Sequence, residues 1–368
     1  MVKRRTHLEK LAVPVYGVED LPISEIRRHT GQDRVAKLSF NENPYGAPPA
    51  VKAALEAACM EIARYGDPHY RELYEALATY TGKEVENIIV GNGADELIDL
   101  ACRAFVGPGE EVLLPLPIFG TYLVDPELSG ANVRMLPPTE DLSIDLEALK
   151  AAIRPETKIV ALCNPNNPTG RIIPSEEISA WLRSLPKHVL VIIDEAYGEY
   201  VNDPDFYSAW EDLAEVPNLL VIRTFSKVFG LAGIRLGYGV ASPEILAPMN
   251  VCRKIANVNS FASVAGVIAL KETAFAQEVK EKNRQEREKL TRELSKLGFD
   301  VLPSQTNFLM VKIGPDAKAL WESLNAEGIW VRFGGGWNLP EYLRISLGTP
   351  EENEWLLETI QKWHRAQK

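Results

Sequence analysis

The sequence predicts an α/β protein: a larger unit built on a mostly parallel sheet, followed by a smaller α+β unit. Three observations carry this. Between about residues 87 and 242, short apolar runs alternate with helical patterns, the signature of strand–helix–strand units. After a long charged helix, about 275 to 297, shorter strand-like runs and two helices follow without that regular alternation. Finally, the polar residues suited to chemistry fall just after apolar runs, where parallel sheets carry their sites.

Residues 1–35 read as an N-terminal arm, 36–250 as the larger unit and 251–368 as the smaller one. The strand-like runs of the larger unit are 88–90, 112–116, 133–136, 159–162, 189–193, 219–222 and 236–240. Helical patterns lie between them, for example 146–153, capped by Asp145, and 175–184, opened by Pro174 and Ser175. In the smaller unit the expected elements are strands near 307–313, 329–332 and 343–347 and helices near 317–327 and after Pro350. The charge run 280–289 reads as a solvated helix face with i,i+4 pairs.

Composition narrows the function classes. The chain has 368 residues, 46% hydrophobic and 25% charged, with net charge −11. The acidic excess disfavours nucleic-acid binding. No apolar run approaches a membrane span, and the basic start, Lys3-Arg4-Arg5, is not followed by a signal-peptide core. Cys59, Cys102, Cys163 and Cys252 are widely spaced and, like the five histidines, lack metal-ligand spacing; a cytoplasmic protein is expected.

The most informative segment runs from Thr224 to Arg235, TFSKVFGLAGIR, directly after an apolar strand. Lys227 offers an amine that can form a Schiff base with a cofactor aldehyde. Thr224, Ser226 and Arg235 can hold a phosphate. Together they suggest pyridoxal 5′-phosphate (PLP). Upstream, the run 189–193 ends in Asp194, a carboxylate suited to the pyridine nitrogen of such a cofactor, with Tyr197 three residues on, able to bond its phenolic oxygen. Glu195 reads as a salt-bridge or solvated residue rather than a catalyst. Asn167, in the turn Asn164-Pro165-Asn166-Asn167-Pro168, leaves an amide at another strand end. Gly93, Ala94 and Asp95 open a helix whose first N–H groups suit a phosphate, and Phe119 can stack on a planar ring.

These motifs, in this order, resemble the aspartate-aminotransferase superfamily of PLP enzymes, and most closely the histidinol-phosphate aminotransferase family. Further matches are Leu38-Ser39-Phe40-Asn41-Glu42-Asn43-Pro44-Tyr45-Gly46, Arg64-Tyr65 and Tyr342-Leu343-Arg344-Ile345-Ser346. The resemblance implies the PLP-transferase fold and a homodimer with shared sites. It places Lys227 on the cofactor aldehyde, Asp194 at the ring nitrogen, Asn167 and Tyr197 at the phenolic oxygen and Phe119 on the ring. Ala94, Asp95, Thr224, Ser226 and Arg235 would surround the phosphate, reached by Tyr65 from the partner subunit. Arg344 would clamp the substrate carboxylate, with Tyr16 and Asn43 on the substrate side. Arg332 matches an arginine serving the substrate phosphate, although another distal anion or a surface turn suits it equally.

The expected reaction is amino transfer between an amino acid or amine and a 2-oxo acid. A PLP lyase, decarboxylase or cyclase on the same scaffold is the alternative. One departure bears on substrate: Ala256 stands where the family carries a bulky ring, which suggests extra room and a preference beyond histidinol phosphate. Trp337, in a Gly-rich loop, is a substrate wall or a packing residue.

Overall fold

The structure is a computed structural model, which describes residues 5–12 and 17–367. Twelve strands form two sheets. We number them β1 (Ala36–Leu38), β2 (Ile88–Gly91), β3 (Glu111–Pro115), β4 (Asn132–Leu136), β5 (Thr157–Cys163), β6 (Leu190–Asp194), β7 (Leu219–Thr224), β8 (Gly237–Ala241), β9 (Asp300–Val301), β10 (Phe308–Lys312), β11 (Ile329–Phe333) and β12 (Tyr342–Ser346).

The large sheet has the order β2-β8-β7-β6-β5-β3-β4. Its central strands are mostly apolar because both faces are covered, whereas the edge strand β4 is partly exposed. Val160, Leu162, Val191, Ile193, Leu219 and Val221 feed one core, and Ile159, Ala161, Leu190, Ile192, Leu220 and Ile222 the other. Residues of alternating parity therefore serve opposite faces, as the two-residue period of a strand dictates. The pairs β3–β4, β3–β5, β5–β6 and β6–β7 are parallel. Only β8 runs against its neighbours. The link from β7 to β8 contains just the short turn Ala232–Ile234 and no crossover helix, so the chain returns antiparallel.

The small sheet has the order β1-β11-β12-β10-β9. Leu309, Val311, Leu343 and Ile345 pack beneath Leu290, Leu294, Leu320, Leu324, Leu356 and Ile360 of its helices. Two features shift the unit boundaries expected from sequence. Strand β1, assigned to the larger unit, pairs in parallel with β11. The helix Ser260–Lys271, assigned to the smaller unit, buries Ala262, Ala265 and Val267 in the large core. A three-residue strand is too short to announce its partner, and the uniformly apolar helix carries no face that names one. The arm is anchored by Ile26, which packs with Val35 and Trp330 beside the small sheet.

Among the described residues, no helix is long and apolar enough to cross a membrane. All four cysteines are free.

Candidate active site

The C-terminal ends of β5, β6 and β7 lie side by side: Cys163 is opposite Asp194, and Asp194 opposite Ile222. They form the floor of a cleft of about 730 Å³ whose far wall is the small sheet. Lys227, Asp194, Tyr197, Asn167, Phe119, Ala94, Asp95, Thr224, Ser226, Arg235, Arg332 and Arg344, all candidates from the sequence, line it.

Asp194 is buried on this floor. One carboxylate oxygen accepts from the Ala196 amide at 2.9 Å and the other from the Tyr122 hydroxyl at 3.1 Å. Burial pushes its pKa up to about 6. A carboxylate held there without a cation fits a protonated ring nitrogen. Tyr197 accepts from Asn41 Nδ2 at 2.9 Å and more loosely from Asn167 Nδ2 at 3.4 Å. With its lone pairs engaged, its hydroxyl proton is left to donate into the cleft. Burial raises its pKa to about 12, so it stays a phenol.

Lys227 Nζ donates to the carbonyls of Phe40 and Asn41 at 3.2 and 3.3 Å. Burial, then the nearby Arg344 charge, lower its pKa to about 8. That makes the free amine accessible near neutral pH, as a nucleophile and proton carrier require.

A phosphate cradle adjoins Lys227. The helix Ala94–Phe105 starts with no side-chain cap, so its first N–H groups face the cleft unpaired by a cap. Gly93 has φ +84°, and a side chain there would strike the Arg235 guanidinium. Arg235 pairs with Asp95 at 2.9 Å and reaches toward the Ser226 hydroxyl at 3.5 Å. Uncapped amides, two hydroxyls and an arginine make a donor set for a phosphate, next to a reactive amine, a buried carboxylate and the half-buried Phe119 ring. The residues present fit PLP.

The opposite wall carries two arginines in register: Arg332 on β11 faces Arg344 on β12. Arg344 donates from Nη1 to Asn167 Oδ1 and from Nη2 to the Ser39 carbonyl, both at 2.6 Å. Its Nε is buried without a partner. Its guanidinium lies 5.0 Å from the Trp337 ring centroid, so Trp337 lines the cleft while also packing on Leu142, Leu302 and Met310. Burial lowers the Arg344 pKa to about 10, and Arg332 adds to the effect.

Several expectations shift. Asn43, expected at the substrate, lies behind the cleft wall: its amide donates to the Val228 carbonyl at 2.9 Å and accepts from the Tyr45 amide at 3.0 Å, fixing the loop beside Lys227. The cleft residue is Asn41, two positions earlier, which bonds Tyr197 and accepts from Ser346 Oγ at 2.8 Å. It has φ +55°, a conformation asparagine tolerates well. In a stretch with two asparagines, residue type alone does not say which faces the site. Ala256 sits on an exposed turn with φ +53° and does not line the cleft of its own chain. Tyr65 is 97% exposed, away from the cleft of its own chain. Tyr16 lies outside the described residues. Tyr122 and Ser39 were missed, having no signal in sequence. Glu195 forms a buried pair with Arg223 at 2.7 Å, the structural part expected of it.

The comparisons with known proteins agree with this geometry. Residues 33–360 match the family model described as aminotransferase class I and II. Histidinol-phosphate aminotransferase of Brevibacillus brevis is 37% identical over 96% of each chain, and histidinol-phosphate aminotransferase 2 of Ralstonia nicotianae is 40% identical over 90% of each. The crystal structure of histidinol-phosphate aminotransferase from Sinorhizobium meliloti in complex with pyridoxal-5′-phosphate superposes with TM-score 0.92 at 30% identity, covering 100% of this chain and 99% of that one. The chain therefore belongs to the class I and II aminotransferases, PLP-dependent enzymes of the aspartate-aminotransferase fold. The two relatives and the crystal structure named above share one substrate name, histidinol phosphate.

Proposed function

We propose that this enzyme transfers the amino group of histidinol phosphate to a 2-oxo acid. The observation that carries the reading is the pair Arg332 and Arg344, opposite one another on adjacent strands and aimed at the cleft that holds Lys227. Two guanidinium groups suit a phosphate dianion, since each fork can make parallel charge-assisted bonds. The names of the relatives support the same substrate.

In this reading PLP, when bound, supplies the electron sink for the carbanion chemistry of the amino-bearing carbon. Asp194, whose pKa burial raises, would hold the ring nitrogen in its protonated form. Tyr197, positioned by Asn41 and Asn167, would donate to the phenolic oxygen. Phe119 would face the ring, and Gly93, Ala94, Asp95, Thr224, Ser226 and Arg235 would hold the phosphate. Lys227 would hold the cofactor through its amine, and as the free amine its Nζ would take the proton from the substrate carbon that bears the amino group. Arg344 and Arg332 hold the substrate anion and so orient that C–H bond toward Lys227.

The active unit of this reading is a homodimer. Met60 (85% exposed), Ile62, Tyr65, Val251 and Ile255 (93%) form two apolar segments on the surface. The chains of these segments meet where Gly66 approaches Ser260 and the Tyr70 hydroxyl bonds Val258. Asn257 bonds Glu96 in the first turn of the phosphate-facing helix at 2.7 Å, so this face borders the cradle. A second copy covering it would bring its Tyr65 to that border. Free cysteines fit a cytoplasmic setting.

The test is glutamate formation from 2-oxoglutarate with histidinol phosphate, histidinol and aromatic amino acids as donors. Histidinol phosphate is expected to give the highest kcat/KM. A higher value for another donor would refute this substrate.

A further inference from the structure

The two arginines of the clamp are not equivalent. The turn Val18–Asp20 of the N-terminal arm reaches the cleft wall, and the Asp20 carboxylate accepts from Arg332 Nη2. Glu19 Oε1 stands 3.6 Å from Arg332 Nη1. Both carboxylates are largely withdrawn from solvent, with side chains 10% and 17% exposed. Arg344 has no carboxylate within ion-pair distance among the described residues.

The turn is built to present these carboxylates. Asp20 Oδ2 accepts from the Gly17 amide at 2.7 Å. A side chain at residue 17 would collide with the Glu19 carboxylate, so glycine there lets the acid fold back. Ser39 Oγ donates to the Glu19 carbonyl at 2.9 Å, while the Ser39 carbonyl holds Arg344. One residue thus fastens the acidic turn and the unpaired arginine to the same wall.

We propose that Asp20 is a specificity-determining residue whose carboxylate competes with the second negative charge of a bound substrate for Arg332. This rests on the histidinol-phosphate reading for the identity of the natural anion. A monoanion needs only Arg344. A dianion or a dicarboxylate gains Arg332 by displacing Asp20, which keeps its bond to the Gly17 amide. Asp20 therefore sets how strongly the cleft prefers double over single charge.

The experiment measures equilibrium binding of glutarate and butyrate to the PLP-loaded protein by calorimetry, in wild type, Asp20→Asn and Asp20→Asn/Arg332→Gln. The asparagine is isosteric and still accepts from Gly17. The expected result is glutarate binding about three- to tenfold tighter in Asp20→Asn, butyrate unchanged, and the gain lost in the double variant. Unchanged, weaker or undetectable glutarate binding in Asp20→Asn, an equal gain for butyrate, or a gain surviving loss of Arg332 would each overturn the proposal. Half-reactions with histidinol phosphate and histidinol in the same proteins test the substrate separately: if wild type does not react with histidinol phosphate, that reading fails while the glutarate titration still decides the role of Asp20.

Discussion

Arg332 and Arg344 stand directly opposite each other across β11 and β12, on one face of the small sheet. Like charges in such cross-strand positions are unfavourable. Asp20 and Glu19 offset the charge of Arg332, while Arg344 relies on neutral acceptors, Asn167 and Ser39. The arrangement is one that a substrate anion completes.

Replacing Arg344 should therefore cost binding of any anionic donor. Arg344→Gln is expected to lower kcat/KM for histidinol phosphate roughly 10- to 100-fold, the size of a lost charged hydrogen bond. Arg344→Lys should recover part of it, because charge without the fork keeps one bond. Steady-state kinetics measure both; equal kcat/KM for the glutamine variant and wild type would refute the assignment.

Lys227 supplies a pH prediction. Only the free amine captures the cofactor aldehyde, and burial plus Arg344 lower its pKa to about 8. The rate at which apo-protein takes up PLP, followed by stopped-flow absorbance, should rise with pH through a midpoint near 8 and level above it. Arg344→Gln removes a cation that disfavours the ammonium, so the midpoint should move up. A downward shift, or a flat profile between pH 6 and 9, would contradict the cause assigned here.

Asp194 makes an opposite prediction for apo- and holo-protein. Its folded pKa, raised to about 6, exceeds that of an unfolded chain, so the folded apo-protein holds an extra proton and loses stability as pH rises toward 6. Asp194→Asn removes that loss. At pH 7.5 the apo variant should be about 1–3 kcal/mol more stable than apo wild type, with the difference closing near pH 4. The same variant should bind PLP more weakly than wild type. Denaturant titrations with and without PLP check both signs.

Tyr65 tests the shared site. If a second copy covers the face of Met60, Ile62 and Ile255, sedimentation at assay concentration should give a dimer, and Tyr65→Phe should release PLP faster. Mixing Tyr65→Phe with Lys227→Ala subunits should yield hybrids with one site that is intact. A monomer of full activity would refute this.

Much of the molecule was legible in the sequence because its strands are buried on both faces and read as continuous apolar runs. Lys227, Asp194 and Asn167 were legible because each ends such a run, where the parallel sheet opens its cleft. What the sequence concealed depends on contacts far along the chain. Tyr122 supports Asp194 from the helix Thr121–Leu128, Asn41 reaches Tyr197 across 156 positions, and Asp20 meets Arg332 across 312. Strand β1 was assigned to the wrong unit for the same reason: its three residues gain a partner only when β11 comes alongside. Ala256 lies on an exposed turn outside the cleft of its own chain, next to Ile255 on the face proposed to meet a second copy.

The central claim is that Lys227 is the amine that holds the cofactor and moves the proton. Reduction of the PLP-loaded protein with borohydride, followed by peptide mass spectrometry, measures it most directly. The account predicts a pyridoxyl adduct on the peptide containing Lys227, with Lys227→Ala unlabelled and unable to convert histidinol phosphate. An adduct on another lysine, or amino transfer by Lys227→Ala at the wild-type rate, would contradict it.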